Sequence, residues 1–213
     1  MIKLEKTEVL GWEAAIRGMR NPLNSWHLYD SYWTHIEDAE TQETANFEFF
    51  VGEKDHDLMT RLRNAGTDHR KYMRMITVYV DITAPLYWWK EFDTYKVGTV
   101  ANSCSTMHKI HAKELTLDDF SHEHLKPIVK RHLNSTITIL NDFRQEFLES
   151  NDKEDWWQMI QLLPTSYNQK RTVMLNYEVL ANIYRSRKNH KLDEWHDLCH
   201  WIEALPYSEL ITG

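Results

Sequence analysis

Hydrophobic positions in this chain change period several times along its length, and the changes predict an α+β fold richer in helix than in strand. From Glu5 to Met19, the residues Val9, Leu10, Trp12, Ala15, Ile16 and Met19 recur at helical intervals until Asn21-Pro22, which predicts a first helix ending near Arg20. Leu58, Met59, Leu62 and Ala65 form a second helical stripe over Asp55 to Ala65, with Gly66 as its stop. Residues 74–83 instead alternate and are rich in β-branched and aromatic types, so they predict a strand closed by Ala84-Pro85.

Beyond that strand the dense aromatic run Leu86 to Phe92 predicts a short helix, and Lys96 to Ser105 is small and polar enough for a strand or an ordered loop. The apolar pattern from Leu117 to Leu148 predicts a long helical region with Pro127 near a helix start. Trp156 to Leu163 reads as a helix ended by Pro164, and Arg171 to Arg187 and Leu192 to Ala204 read as two closing helices. Asn24 to Val51 has no clean period and stays unassigned. Without an internal repeat or low-complexity linker, residues 1–213 are expected to form a single domain.

Composition narrows the partners. A net charge of −7 opposes binding to long nucleic acids, whose affinity rests on Lys and Arg meeting phosphates, while a mononucleotide stays compatible. The longest apolar runs are far short of the ~20 residues of a bilayer-spanning helix. Only Cys104 and Cys199 occur and the N-terminus lacks a secretory leader pattern, so a cytoplasmic location is expected. Nine Trp, 10 Tyr and 7 Phe predict an aromatic-rich core or subunit interface, and the second of these is compatible with a homo-oligomer.

The candidate chemistry is sparse. His196 and His200 share a helix face, but no third or fourth ligand accompanies them, so no metal is expected. Cys104 reads as a buried thiol, and Tyr87, Trp88, Trp89 and Phe92 as packing. Glu178, Asn182 and Arg185 lie at one-face spacing, either a solvated surface or a ligand-facing stripe. The segment Arg185 to Lys191 is the densest basic cluster of an acidic chain and suits a phosphorylated ligand; a helix C-terminus stabilised by its dipole is the equal alternative.

Two segments carry a family resemblance. Ala84 to His108 has an Ala-Pro turn after a strand, then Glu91-Phe92, Lys96, Asn102, Ser103, Ser105 and His108. Leu175 to Trp195 holds Asn176, Leu180, Asn182 and Arg187, with Leu162-Leu163-Pro164 upstream. Together they resemble the flavin-dependent thymidylate synthases (ThyX-like), whose signature is RHRxxSxNExSxRY followed by a closing helix with spaced Asn and Arg. The Arg-His-Arg is absent: Lys96 stands at its third position, Ser103 replaces the Glu, and Met107-His108 replace the last Arg-Tyr.

The resemblance runs from about residue 8 to 205 and implies the fold of that family, an antiparallel sheet with flanking helices, with FAD as cofactor, NADPH as reductant and a folate one-carbon donor. It implies a dUMP-like pyrimidine nucleotide and a homotetramer. Substrate would meet Glu91, Lys96, Ser103, Ser105 and Arg187, with Arg187 the catalytic candidate, and flavin would meet His69, Asn102, Asn176 and Asn182. The altered motif also admits a catalytically inactive, phage-like or accessory protein that binds or sequesters a nucleotide on the same scaffold.

Overall fold

Alternation in the segment read as a strand sets the architecture. The computed structural model describes residues 2–36 and 46–213. In chain order its elements are β1 (Lys3–Leu10), α1 (Trp12–Arg20), β2 (Tyr32–Ile36), β3 (Asn46–Phe50), α2 (Glu53–Asn64), β4 (Thr77–Pro85), α3 (Leu86–Phe92) and β5 (Val100–Ser103). There follow α4 (Pro127–Ser150), α5 (Lys153–Leu162), β6 (Asn168–Asn176), α6 (Tyr177–Arg187), α7 (Asp193–Glu203) and the short α8 (Glu209–Thr212). Four strands form one antiparallel sheet in the order β1-β4-β6-β5, and β2 and β3 pair as a separate antiparallel ribbon.

Val78, Val80, Ile82 and Ala84 of β4 and Val173 and Leu175 of β6 are buried on one face of the sheet, because successive side chains of a strand point to opposite sides. Against that face pack Ala15 and Ile16 of α1, Leu58 and Met59 of α2, Trp88 and Trp89 of α3, and Leu180 and Ile183 of α6, all in one apolar core. Burying each large side chain is worth about 1.5–3 kcal/mol, which commits the sheet to this orientation. A second apolar cluster joins α4 and α5 through Leu133, Ile137, Leu140 and Met159, with Ile110, Leu115 and Phe120 beneath.

The opposite face keeps Tyr79 and Asp81 of β4, Thr172 and Met174 of β6 and Val100 and Asn102 of β5; Thr172, Val100 and Asn102 are exposed there. Asp81 accepts hydrogen bonds from Thr172 Oγ1 at 2.6 Å and Lys170 Nζ at 2.9 Å, and these bonds hold its carboxyl below the usual carboxylate range.

Two expected helices are corrected in part. Residues 3–10 are an edge strand, and helix starts only at Trp12. The register on β4 shifts between Glu5 and Glu8, so Leu4 and Val9 both face the core from positions five apart, out of step with the two-residue alternation that marks a regular strand. Gly11, at φ +92°, turns the chain between them; a Cβ there would sit 2.3 Å from the Met75 carbonyl oxygen. Residues 171–176 belong to the inner strand β6, paired with β4 and β5, and only from Tyr177 is the closing segment helical. The predicted strand starts three residues later than read and takes in Ala84-Pro85, and Lys96 to Ser105 contains β5.

In the stretch left unassigned, two 3-10 turns (Asn21–Leu23 and Trp26–Leu28) precede the β2–β3 ribbon; residues 37–45 lie outside those described. A buried ion pair anchors this segment. Arg20 Nε donates to Asp55 Oδ1 at 2.6 Å, and Asp55 Oδ2 accepts from the backbone of Asp30 and Ser31 and from Ser31 Oγ at 2.7 Å. Such a pair contributes little beyond an apolar substitute, but losing either partner strands a buried charge at a cost of about 3–5 kcal/mol.

Candidate functional site

The segment joining α3 to β5, residues 93–99, lies along α6 and brings the two resembling segments together. At one end Arg187 Nε donates to Tyr95 Oη at 2.9 Å. At the other, Gly98 (φ +79°) approaches the N-terminus of α6 so closely that a Cβ would lie 2.9 Å from Asn176 Nδ2 and 3.2 Å from Val179. Asn176 caps that helix, its Oδ1 accepting from Val179 N at 3.0 Å, which satisfies one of the donors every helix start leaves free.

Beside this segment lies a cavity of about 390 Å³ lined by Phe92, Asp93, Tyr95, Lys96, Thr99 and Ala101. Lys96 is exposed and makes no ion pair or hydrogen bond among the described residues. Thr99 Oγ1 is buried without a hydrogen-bond partner. An orphaned buried hydroxyl costs about 1–3 kcal/mol, and a ligand that supplied its partner would recover that. An anionic head at Lys96 with a polar group at Thr99 is the chemistry this cavity accepts.

Arg187 is more constrained than its place in the basic cluster suggested. Its Nη1 donates to Glu91 Oε2 at 2.8 Å, and the same oxygen accepts from Trp195 Nε1 at 3.1 Å and lies 3.3 Å from His190 Nε2. The guanidinium also stacks 4.6 Å from the Trp195 ring centre. Glu91 therefore neutralises Arg187 and fixes its plane, leaving Nη2 without a hydrogen bond among the described residues.

A second arginine packs on the core side of the sheet nearby. Arg171 lies 4.1 Å from the Trp89 ring centre, with Nη1 on Asp93 Oδ1 at 2.7 Å and Nε on Gln169 Oε1 at 3.0 Å. Tyr95, Thr99, Arg171 and Trp195 were not picked out as site residues in the sequence. Only alternating aromatic and cationic residues within 87–96 and 185–195 hint at them, and that pattern equally describes packing.

The remaining expected residues scatter. Asn102 lies on the uncovered sheet face opposite Thr172, on the same side of β6 as Asn176, while Ser103 sits opposite Arg171 at the strand's end. Ser105 Oγ accepts from His108 N at 2.9 Å and faces a different cavity, together with Cys104. His69 lines a third groove of about 270 Å³ with Met19, Leu62 and Tyr72. Asn182 is exposed on α6.

Three further expectations are settled by contacts and burial. The polar stripe on α6 divides: Glu178 is buried with its carboxylate 2.9 Å from Arg70 Nε, so it serves packing, while Asn182 and Arg185 stay exposed. Cys104 is exposed rather than buried, because β5 is an edge strand ending in the 104–109 turn; Cys199 is the buried thiol, and burial pushes it up to about 11. Trp88, Trp89 and Phe92 are core. Among the described residues no cluster of His, Cys, Asp or Glu is arranged to hold a metal, and no helix is long and apolar enough to cross a membrane.

No protein-family model and no curated protein sequence matches the chain. Solved structures do. A crystal structure of thymidylate synthase X from Helicobacter pylori with FAD and dUMP superposes with a TM-score of 0.69 at 17% identity, over 100% of this chain and 97% of that one. The chain has the ThyX fold. A second structure of the Helicobacter pylori enzyme with FAD and dUMP gives 0.67 at 17% identity over 98% of this chain and 97% of the other. The UMP/dUMP methylase PolB from Streptomyces cacaoi, bound with 5-Br UMP, gives 0.59 at 13% identity over 100% and 94%. The ThyX fold expected from the two motifs is thus the observed one, helix-rich around an antiparallel sheet.

Proposed function

We propose that the chain is a divergent flavin-dependent thymidylate synthase-like protein that binds a dUMP-like pyrimidine nucleotide and FAD and transfers a one-carbon unit or hydride to the base. The observation that carries this reading is the cavity beside residues 93–99, where an uncommitted cation, Lys96, and an orphaned hydroxyl, Thr99, meet next to Arg187 on a ThyX fold. Its volume, about 390 Å³, is at the small end for ligand sites and suits a mononucleotide rather than a whole dinucleotide.

Within this reading Lys96 balances the substrate phosphate as a point charge, and Thr99 gains its missing partner. Arg187, held in plane by Glu91 and Tyr95, reaches substrate through Nη2 and is the catalytic candidate. For flavin, Asn102 and Asn176 offer side-chain amides on the uncovered sheet face, Asn176 through Nδ2 because its oxygen caps α6. Bound flavin supplies the hydride, with NADPH as reductant and a folate as one-carbon donor. Ser103, Ser105, His69 and Asn182, apart from the cavity in one chain, join a site completed by a neighbouring copy in a homotetramer.

A specific observation favours a second reading, a nucleotide-binding or sequestering protein without chemistry: Glu91 already occupies Arg187, so a phosphate must compete with a carboxylate for it. The visible spectrum of the purified protein separates the two. Flavin bands that bleach on adding a reduced nicotinamide are expected for the enzyme. A colourless protein that takes up no added FAD, yet melts higher with a pyrimidine nucleotide, establishes the second reading and overturns the first.

A further inference from the structure

At the opposite edge of the sheet from β5, the end of β1, the first turns of α1, the β2–β3 ribbon and the Pro206-Tyr207 turn surround a cavity of about 650 Å³. It shares no lining residue with the Lys96 cavity, and its volume is within the ~300–1,000 Å³ of small-molecule sites.

Its apolar wall is aromatic. Trp33 and Phe49 pair across the ribbon, edge to face with ring centres 5.1 Å apart, and Trp12 meets Tyr207 in the same way at 5.2 Å. Trp12 and Phe49 are buried, whereas Trp33 is 55% exposed and offers ring surface that an apolar group would cover. The charged groups are on α1. Glu13 and Arg17, one turn apart on one helix face, do not pair with each other. Glu13 Oε2 accepts from Trp33 Nε1 at a long 3.5 Å, and its Oε1 makes no hydrogen bond among the described residues. Arg17, which is exposed, makes no ion pair or hydrogen bond among them at all. Trp12 is only 6% exposed, yet its indole Nε1 also lacks a partner there, a nearly buried donor that an acceptor entering the cavity would satisfy. Glu48, next to Phe49 on β3, projects from the ribbon's other face, so Glu13 is the carboxylate that meets a ligand.

These charges select among ligands. A simple organic cation would meet Arg17 as a like charge, and a simple anion would meet Glu13. A molecule carrying both an ammonium and a carboxylate beside an apolar body satisfies the two together. We propose that this cavity binds a free α-amino acid with an aromatic side chain. Its ammonium donates to Glu13, its carboxylate accepts from Arg17 and the Trp12 N–H, and its ring lies against Trp33 and Phe49. The site rests on these residues alone and does not require the Lys96 cavity to bind anything.

Calorimetric titration of the full chain with L-phenylalanine, phenethylamine and 3-phenylpropionate tests it, since the three share a ring and differ in charge. Saturable binding of L-phenylalanine is expected, with the amine and the acid each about tenfold weaker because each leaves one α1 charge unpaired. Arg17→Gln should weaken L-phenylalanine about tenfold without weakening phenethylamine, and Glu13→Gln should do so without weakening 3-phenylpropionate. Both side chains are exposed, so the fold tolerates either change. Amide NMR shifts on adding the amino acid should centre on residues 7–17 and 206–207. No saturable binding of L-phenylalanine, equal affinity for the three compounds, or unchanged affinity for the amino acid in either variant overturns the proposal.

Discussion

Gly98 shows how single positions fix the site. Its φ of +79° lies in the left-handed region that costs other residues about 1–2 kcal/mol, and the space a Cβ needs is filled by the Asn176 amide. Gly98→Ala should therefore lower stability by about 1–2 kcal/mol in denaturant unfolding, through backbone strain and displacement of the α6 cap. A variant as stable as the wild type would show that the segment is not held against α6. At this scale the sequence was legible where residue type dictates a role: Lys96 and Arg187 lie at the cavity and beside it, and Asn176 lies by Gly98. It was illegible where a partner far along the chain decides the role. Glu91 reads as a substrate contact until Arg187 and Trp195, 96 and 104 residues away, are seen to converge on one of its oxygens.

The elements were read best where apolar period and end signals agreed. The α3 helix has the bounds expected from its aromatic run, and α4 begins at the anticipated Pro127. Strands β1 and β6 were misread because a bulge shifted one out of alternation and a helix followed the other without a break. The start of α2 shows long-range support that no local signal announces: the Asp30 carboxylate accepts from Lys54 N at 2.9 Å and Asp55 N at 3.1 Å. Desolvation opposes ionisation of Asp30, but these backbone bonds outweigh it and hold its pKa below the ordinary value. A depressed folded-state pKa means the stabilisation is present above the unfolded value, about 3.9, and is lost as pH falls through the folded one. Asp30→Ala should accordingly lower stability by up to about 1 kcal/mol near neutral pH, with the gap to wild type closing below about pH 4 in melting curves. A gap independent of pH would contradict the assignment.

For the molecule as a whole, the sheet is covered on one face by helices and leaves the other to Tyr79, Val100, Asn102, Thr172 and Met174, with the Lys96 cavity toward one end of the edge strand β5. That arrangement reconciles a net charge of −7 with an anionic ligand, since the local field at the cavity, not the total charge, acts on a small molecule. The ThyX fold was legible because two short motifs lie in order along the chain; the contact of residues 93–99 with α6 was not, since it joins segments about 80 to 90 positions apart. The central claim is that a pyrimidine nucleotide binds beside residues 93–99. Calorimetric titration of dUMP into the wild type and into Lys96→Ala tests it most directly. Saturable binding, weakened about tenfold by loss of the one charged contact, is the predicted result; no binding to the wild type, or equal affinity for both proteins, would contradict it.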